Sequence, residues 1–422
     1  METQSLSALT PSERAVVLDR DAGIDEIRDD VRAIVEEVRT DGDDALREFS
    51  RKFDGVDVDE FDITNATERA ASNVDPEIRE AIEAAAERIR AFHERQVRTD
   101  WTDSFDGSIL GRQFRPIRRV GAYVPGGSAA YPSTALMTVV PAKVAGVEEV
   151  VVVTPPADEL NPVTLAAIGL AGADEVYGVG GAQAIGALAH GTGTIPAVEK
   201  IVGPGNRWVA AAKAEVRGDV AIDMIAGPTE VLVVADGTAT PRYVAAELVG
   251  QAEHDPHSSA VAVTPDETLA QDVVAEVERQ APERDRTDVI EEALANESSG
   301  VFVADSMADA TAFAEEYAVE HLVVMTADDD ETLDHIDSAG SVFVGEYSPV
   351  AAGDYASGTN HVLPTSQSAR TTGGLSVDSF VRSRTVQRLD GDVLDSISDT
   401  IVTLAELEGL EAHAESVRTR FE

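Results

Sequence analysis

Gln251-Ala-Glu-His254-Asp255 offers an amide and an imidazole three residues apart, a spacing that puts both on one face of a helix. Two such donors suit a metal ion, and a metal held there would serve a hydrolytic or a redox reaction. The plainer alternative is a polar helix end with a satisfied histidine, because a zinc site needs more than two ligands. Other donors must decide. Glu320-His321 sets a carboxylate beside an imidazole at the head of an apolar run. Such a pair suits proton abstraction and water activation, since histidine titrates near neutrality and burial raises a glutamate towards it. A regular strand would send the two side chains to opposite faces, so they share a cleft only where the backbone is irregular; an exposed polar pair is the alternative. Asp354 with His361, and Glu408 with His413, form two more acid–imidazole neighbourhoods. His93 and His335, on helical faces among charges, and His190 and His257, near helix ends, read as structural or surface residues.

Three glycine clusters could bring backbone N–H groups up to a phosphate: Val124-Pro125-Gly126-Gly127-Ser128, Gly178-Val179-Gly180-Gly181-Ala182-Gln183 and Gly203-Pro204-Gly205-Asn206. None has the full dinucleotide spacing, and each alone is better explained by a tight strand-to-helix turn than by a cofactor cradle. Three on one sheet edge favour a nucleotide.

The elements that must position these residues form two series. Apolar residues at spacings of three and four predict helices over 24–39, 44–53 and 76–98. From Ile117 to Ala235 short apolar runs at 150–153, 175–179 and 200–202 alternate with helical stretches at 163–170, 182–189 and 207–216. A second series places strands near 231–234, 260–264, 301–304, 322–325 and 342–345. The helix leading to Gln251 starts at Thr240-Pro241, a cap and a favoured first residue. Alternation of this kind is the signature of parallel sheets covered by helices, so the fold class is α/β with two units. Tyr347 to Asp378 lacks periodicity and reads as a functional loop, and the tail from Val393 to Phe421 is helical again.

Composition narrows the chemistry. With no cysteine, thiolate nucleophiles and thiolate zinc ligands are excluded. The net charge of -45, from 78 acids against 33 bases, disfavours nucleic acid as a partner. Only four lysines are present, Lys52, Lys143, Lys200 and Lys213. At 1 M salt the screening length falls to about 3 Å, which relieves the self-repulsion of such a surface. The composition is that of a cytoplasmic protein of a salt-accumulating halophile. No apolar run has membrane-spanning length, and the first twenty residues have no secretory pattern, so neither membrane nor export is expected.

Taken together, Tyr123-Val-Pro-Gly-Gly-Ser, Val179-Gly-Gly-Ala-Gln183, Val202-Gly-Pro-Gly-Asn206, Ile225-Ala-Gly-Pro-Thr229-Glu, Gln251-Ala-Glu-His254-Asp-Pro, Gly353-Asp354-Tyr-Ala-Ser-Gly-Thr-Asn-His361 and Glu408-Gly-Leu-Glu-Ala-His413 resemble, in order, the motifs of the histidinol dehydrogenase family. The resemblance spans nearly the whole chain and is weakest in the first twenty residues. It implies oxidation of L-histidinol to L-histidine through the aldehyde, with two NAD reduced per turnover. It further implies one zinc ion per subunit on Gln251, His254, Asp354 and His413, with His413 delivered across a homodimer that shares its active sites. His321 would be the general base and Glu320 the activator of the hydrating water. Thr229, His361 and Glu408 match substrate contacts, and Tyr123, Gln183 and Asn206 match NAD contacts. The fold expected is two Rossmann-like α/β domains with parallel-rich sheets and small helical terminal segments. The ranges are 1–20 for an N-terminal helical segment, 21–122 with 230–375 for the first domain, 123–229 for an inserted NAD-contacting domain, and 376–422 for a C-terminal helical segment.

Two positions depart from the family pattern. Thr229 stands where Ser is usual, which keeps the hydroxyl and adds a methyl, and Val319 stands where Pro is usual, which frees an N–H. Two rival functions use the same residues. One is a zinc hydrolase with Glu320 activating water, against which three glycine turns argue; the other is a non-catalytic relative that only binds metal or imidazole, against which intact Glu320 and His321 argue.

Overall fold

The computed structural model of the chain describes every residue except Glu2, Asp21, Ala22, Gly127, Ser128 and Ala129. Gly127 and Ser128 of the first glycine cluster thus lie outside the described residues. The chain divides into two compact units, Met1–Gln96 with Ile117–Phe380 and Val97–Pro116 with Val381–Glu422.

The larger unit contains two parallel sheets, as the α/β alternation predicts. The first has five strands in the order Glu175–Gly178, Glu149–Thr154, Arg119–Tyr123, Lys200–Val202 and Ala221–Ile222. The second has six, in the order Thr3–Ser5, Gly300–Val303, Ser259–Thr264, Glu230–Ala235, His321–Met325 and Ser341–Val344. In each, the chain leaves a central strand towards one edge and later returns to its other side, creating a topological switch point. The switch lies between Arg119–Tyr123 and Lys200–Val202 in one sheet, and between Glu230–Ala235 and His321–Met325 in the other.

Helices on both faces explain why the central strands have no polar side. All six residues of Glu230–Ala235 and of Ser259–Thr264 are buried, including their polar first residues. The helix Arg28–Asp41 turns Val31, Ile34, Val35 and Val38 inward. There they join Leu46, Phe49 and Phe61 against Val151, Ile185 and Leu188 of the five-stranded layer. Pro76–Glu94 adds Ile82, Ala86 and Ile89 to a second cluster with Met137, Val150 and Val152. Each large apolar side chain so buried contributes about 1.5–3 kcal/mol.

Several local expectations are revised. A helix Thr64–Asn73, which has no strong apolar stripe, adds to the helical N-terminal region. Pro11–Leu18 is helical, but Thr3–Ser5 is an edge strand. The helix Pro241–Ala252 starts where expected, yet the Thr240 side chain makes no capping bond and its N–H donates to Glu346 at 2.6 Å. Within the aperiodic stretch a short helix, Val350–Tyr355, presents Asp354. His93 is fully buried, with Nδ1 2.7 Å from the Ile89 carbonyl, rather than lying among surface charges.

The smaller unit is an antiparallel sheet in the order Val381–Arg388, Ser108–Pro116 and Trp101–Phe105, with helices Gly391–Leu407 and Glu411–Arg418. The helices were legible in the tail; the charged strand before them was not. Trp101, Phe105, Ile109, Leu404, Leu407 and Leu410 of this unit are exposed. Among the described residues no helix is long and apolar enough to cross a membrane.

Candidate active site

The acid–imidazole pair sits at the N-terminal end of the six-stranded sheet. The helix Met307–Tyr317 ends on Ala318 in a left-handed conformation (φ 50°), and strand pairing begins only at His321. Glu320 therefore escapes strand alternation, and its Oε2 lies 3.4 Å from Nδ1 of His321. The backbone irregularity required for a shared cleft is present.

Glu320 is buried, and its Oε2 accepts from Thr229 Oγ1 at 2.6 Å and from the Glu230 N–H at 2.9 Å. Burial pushes its pKa up to about 7, against the opposing effect of those two bonds. Nδ1 of His321 stands 2.9 Å from the Glu230 carbonyl. A carbonyl only accepts, so the imidazole proton sits on Nδ1 and Nε2 keeps its lone pair. Nε2 is buried and, among the described residues, has no hydrogen-bond partner. Burial holds the His321 pKa below its ordinary value, with Asp354 pulling the other way from 3.9 Å. The result is a buried imidazole whose Nε2 lone pair is unused among the described residues.

Of the expected metal ligands of the larger unit, Asp354 comes close to that atom, with Oδ1 3.9 Å away. Gln251, buried in the last turn of its helix, donates Nε2–H to Thr229 Oγ1 at 2.7 Å, which directs its carbonyl oxygen elsewhere. The Thr229 hydroxyl thus links Gln251 to Glu320, and threonine does this as well as serine. Asp354 is buried, and its pKa is pushed up to about 6 by burial, with His321 opposing and Glu320 and Glu247 adding to the rise. His361, with Nδ1 3.2 Å from the Asp354 carbonyl, is driven down to about 4 by burial and then by His321. His254 keeps solvent access at the rim. Partial shielding, then the charges of His321 and Arg286, lowers its pKa.

An amide oxygen, a neutral imidazole and a carboxylate are donors that zinc accepts, so the residues fit the ion in kind. Among the described residues no three His, Asp or Glu side chains gather closely enough to hold a metal by themselves. Glu408 and His413 belong to the smaller unit and are exposed there.

The residues expected to meet NAD lie at the C-terminal edge of the five-stranded sheet, where the glycine turns follow its strands. The Tyr123 hydroxyl accepts from the Gly181 N–H at 3.1 Å, and Gln183 is buried in the first turn of the helix Gly181–His190. Asn206 caps Arg207–Val216 by accepting at Oδ1 from Trp208 and Val209, which leaves its Nδ2 to donate. Gly203 has φ +107° and a Cβ there would lie 2.4 Å from the Tyr123 carbonyl, so no other residue fits. Its N–H donates to Asp223 at 2.7 Å, its carbonyl accepts from Lys213 Nζ at 3.0 Å, and Lys213 and Asp223 form a buried ion pair. A cavity of about 260 Å³ opens at the same edge, lined by Gly126, Thr154, Pro155, Asn161 and Thr164 among others.

Sequence reasoning missed the residues behind these sites. Glu230 stood inside a quoted motif without a role, and Arg20, Lys213 and Asp223 carried no signal beyond being charges in apolar surroundings.

Comparison with known proteins now adds to this geometry. Residues 18–421 match the family model for histidinol dehydrogenase. Histidinol dehydrogenase of Haloarcula marismortui is 64% identical over 422 residues, covering 100% of both chains. That of Natronomonas pharaonis is 59% identical, again covering 100% of both. The crystal structure of histidinol dehydrogenase from Elizabethkingia anophelis is similar with a TM-score of 0.93 at 38% identity, covering 100% of this chain and 98% of that one.

Proposed function

The chain belongs to the histidinol dehydrogenase family and is an oxidoreductase of histidine biosynthesis, and from that premise we propose that it converts L-histidinol to L-histidine through L-histidinaldehyde with two NAD reduced in one site. The observation that carries the reading is the buried, unpartnered Nε2 of His321, with Nδ1 held by the Glu230 carbonyl and Glu320 alongside. An alcohol oxidation needs a base for the hydroxyl proton as hydride departs. His321 takes that proton at Nε2. The aldehyde C–H cannot leave as hydride without generating an acylium cation, so water must add first, and Glu320 removes a proton from that water. His321 then accepts the hydroxyl proton of the hydrate in the second oxidation.

Gln251, His254 and Asp354, with His413 of the partner subunit, would hold one zinc ion per subunit; Thr229, His361 and Glu408 would complete the substrate contacts; and Tyr123, Gln183 and Asn206 would meet NAD. When bound, zinc would supply a Lewis-acid centre that orients the substrate, and NAD would supply the hydride acceptor. A homodimer agrees with the apolar row on the smaller unit, where Leu404 is 55% and Leu407 79% exposed. The acid excess agrees with a cytoplasm rich in salt. The test is NADH absorbance with histidinol in molar salt and zinc. Two NADH per histidinol are expected, and none would overturn the reading.

A further inference from the structure

The Arg20 and Glu230 side chains make no hydrogen bond to the Glu320 carboxylate or the His321 ring, yet they form a buried pair directly behind the catalytic residues. Arg20 Nε lies 2.9 Å from Glu230 Oε1, and both side chains are almost completely enclosed. Arg20 is fixed in turn, with Nη2 donating to the Tyr317 carbonyl at 2.7 Å and its guanidinium 3.7 Å above the Tyr317 ring. The Tyr317 hydroxyl is held by Ser259 at 2.7 Å.

Glu230 reaches both catalytic residues through three different groups. Its N–H binds the Glu320 carboxylate, its carbonyl binds His321 Nδ1, and its own Oε2 faces the Glu320 N–H at 3.4 Å. Its Oε1 also accepts from the Ser366 N–H at 2.6 Å. Ser366 and Gln367 are non-glycine residues in the left-handed region (φ 51° and 63°), tied back to the Arg20 and Leu18 carbonyls at 2.7 and 3.0 Å. Backbone strain of this kind persists where surrounding contacts over-determine it. Three segments far apart in sequence therefore meet on one carboxylate: the N-terminal stretch, the head of the strand at 321, and the loop that follows His361.

We propose that Glu230, neutralised by Arg20, is the positioning residue for the reaction, holding Glu320 in place at both ends and fixing the His321 tautomer. The inference rests on the proposed oxidation but concerns residues that contact neither substrate nor cofactor. Removing one charge leaves the other buried without a partner, whereas removing both leaves two amides that can bond each other.

The experiment compares Glu230→Gln, Arg20→Gln and the double variant with the unaltered protein in molar salt. Circular dichroism and thermal midpoints establish that each is folded. Each single variant should lose kcat by about 30-fold or more with KM for histidinol within about threefold, and the double variant should regain at least about tenfold over the worse single, as coupled rather than additive partners do. Singles that keep kcat within about twofold, a KM that rises in step with the loss, or a double variant that simply multiplies the two losses would each overturn the proposal. Imidazole ¹⁵N shifts, assigned by loss of a signal in His321→Gln, provide a readout independent of turnover. The unaltered protein should show His321 protonated at Nδ1. The single variants keep the carbonyl of residue 230 but lose the side-chain anchor that sets its position, so they should show a mixture, and an unchanged tautomer would count against the idea. A wild-type chain that gives no NADH while the tautomer shift still occurs would condemn the functional reading and leave the positioning role standing.

Discussion

The two parallel sheets share a switch-point topology and differ in which end carries unpartnered polar groups. In the five-stranded sheet the switch point has the form of such ligand crevices, with glycine turns and the Gly181–His190 helix, which has no side-chain cap, at the carboxyl ends of the strands. The same edge of the six-stranded sheet is closed by the chain's own acids. Asp236 accepts from Thr238 and Ala327 N–H, Asp329 from Thr326 and Glu346 from Thr240, at 2.6–2.9 Å. A cavity of about 180 Å³ remains beside them, but the donors a phosphate would need are occupied. The acid–imidazole pair lies instead at the amino ends, where Glu230, Ser259 and His321 are buried first residues of adjacent strands. A fold rule locates ligands only where backbone donors are left open.

Four substitutions probe that contrast. His321→Gln at the amino edge removes the base, and kcat with histidinol should fall about 10³-fold or more; a loss under about tenfold would move the chemistry elsewhere. Glu320→Gln should slow only aldehyde oxidation, by about 10²-fold, and lower the yield from two NADH per histidinol towards one. The raised pKa adds a sign. Glu320 acts as a base only when ionised, so aldehyde oxidation should decline as pH falls below about 7 and hold above it, and Glu320→Gln should erase that limb. Gly203→Ala at the open edge forces a methyl against the Tyr123 carbonyl, and KM for NAD should rise about tenfold while KM for histidinol stays put. Asp236→Asn at the closed edge should leave kcat and both KM values within about twofold and cost about 1 kcal/mol of stability, read from denaturant midpoints. A larger kinetic effect there would mean that the closed edge is functional after all.

Much of this was legible in the sequence, for physical reasons. Buried parallel strands must be apolar on both faces, so Glu149–Thr154 and Ser259–Thr264 announce themselves. Glycine turns and an acid beside an imidazole are local patterns as well. What was hidden depends on contacts between distant segments. Periodicity marks a strand without saying which end carries the site, so Glu230 reads as one more acid on an acidic chain. Thr64–Asn73 and Val381–Arg388 lack a clean stripe because tertiary packing, not pattern, holds them. Asp354 lay in a stretch read as loop because a six-residue helix is too short to show a period.

The Lys213–Asp223 pair beneath Gly203 has a practical corollary. Of the four lysines, Lys213 is buried and Lys143 and Lys200 are half-covered, bonded to Asp174 and to the Ser379 carbonyl; Lys52 alone is exposed. An amine-reactive label should therefore find one fast side-chain target on the folded chain. A surface so poor in lysine makes the folded chain close to a single-site substrate for lysine conjugation.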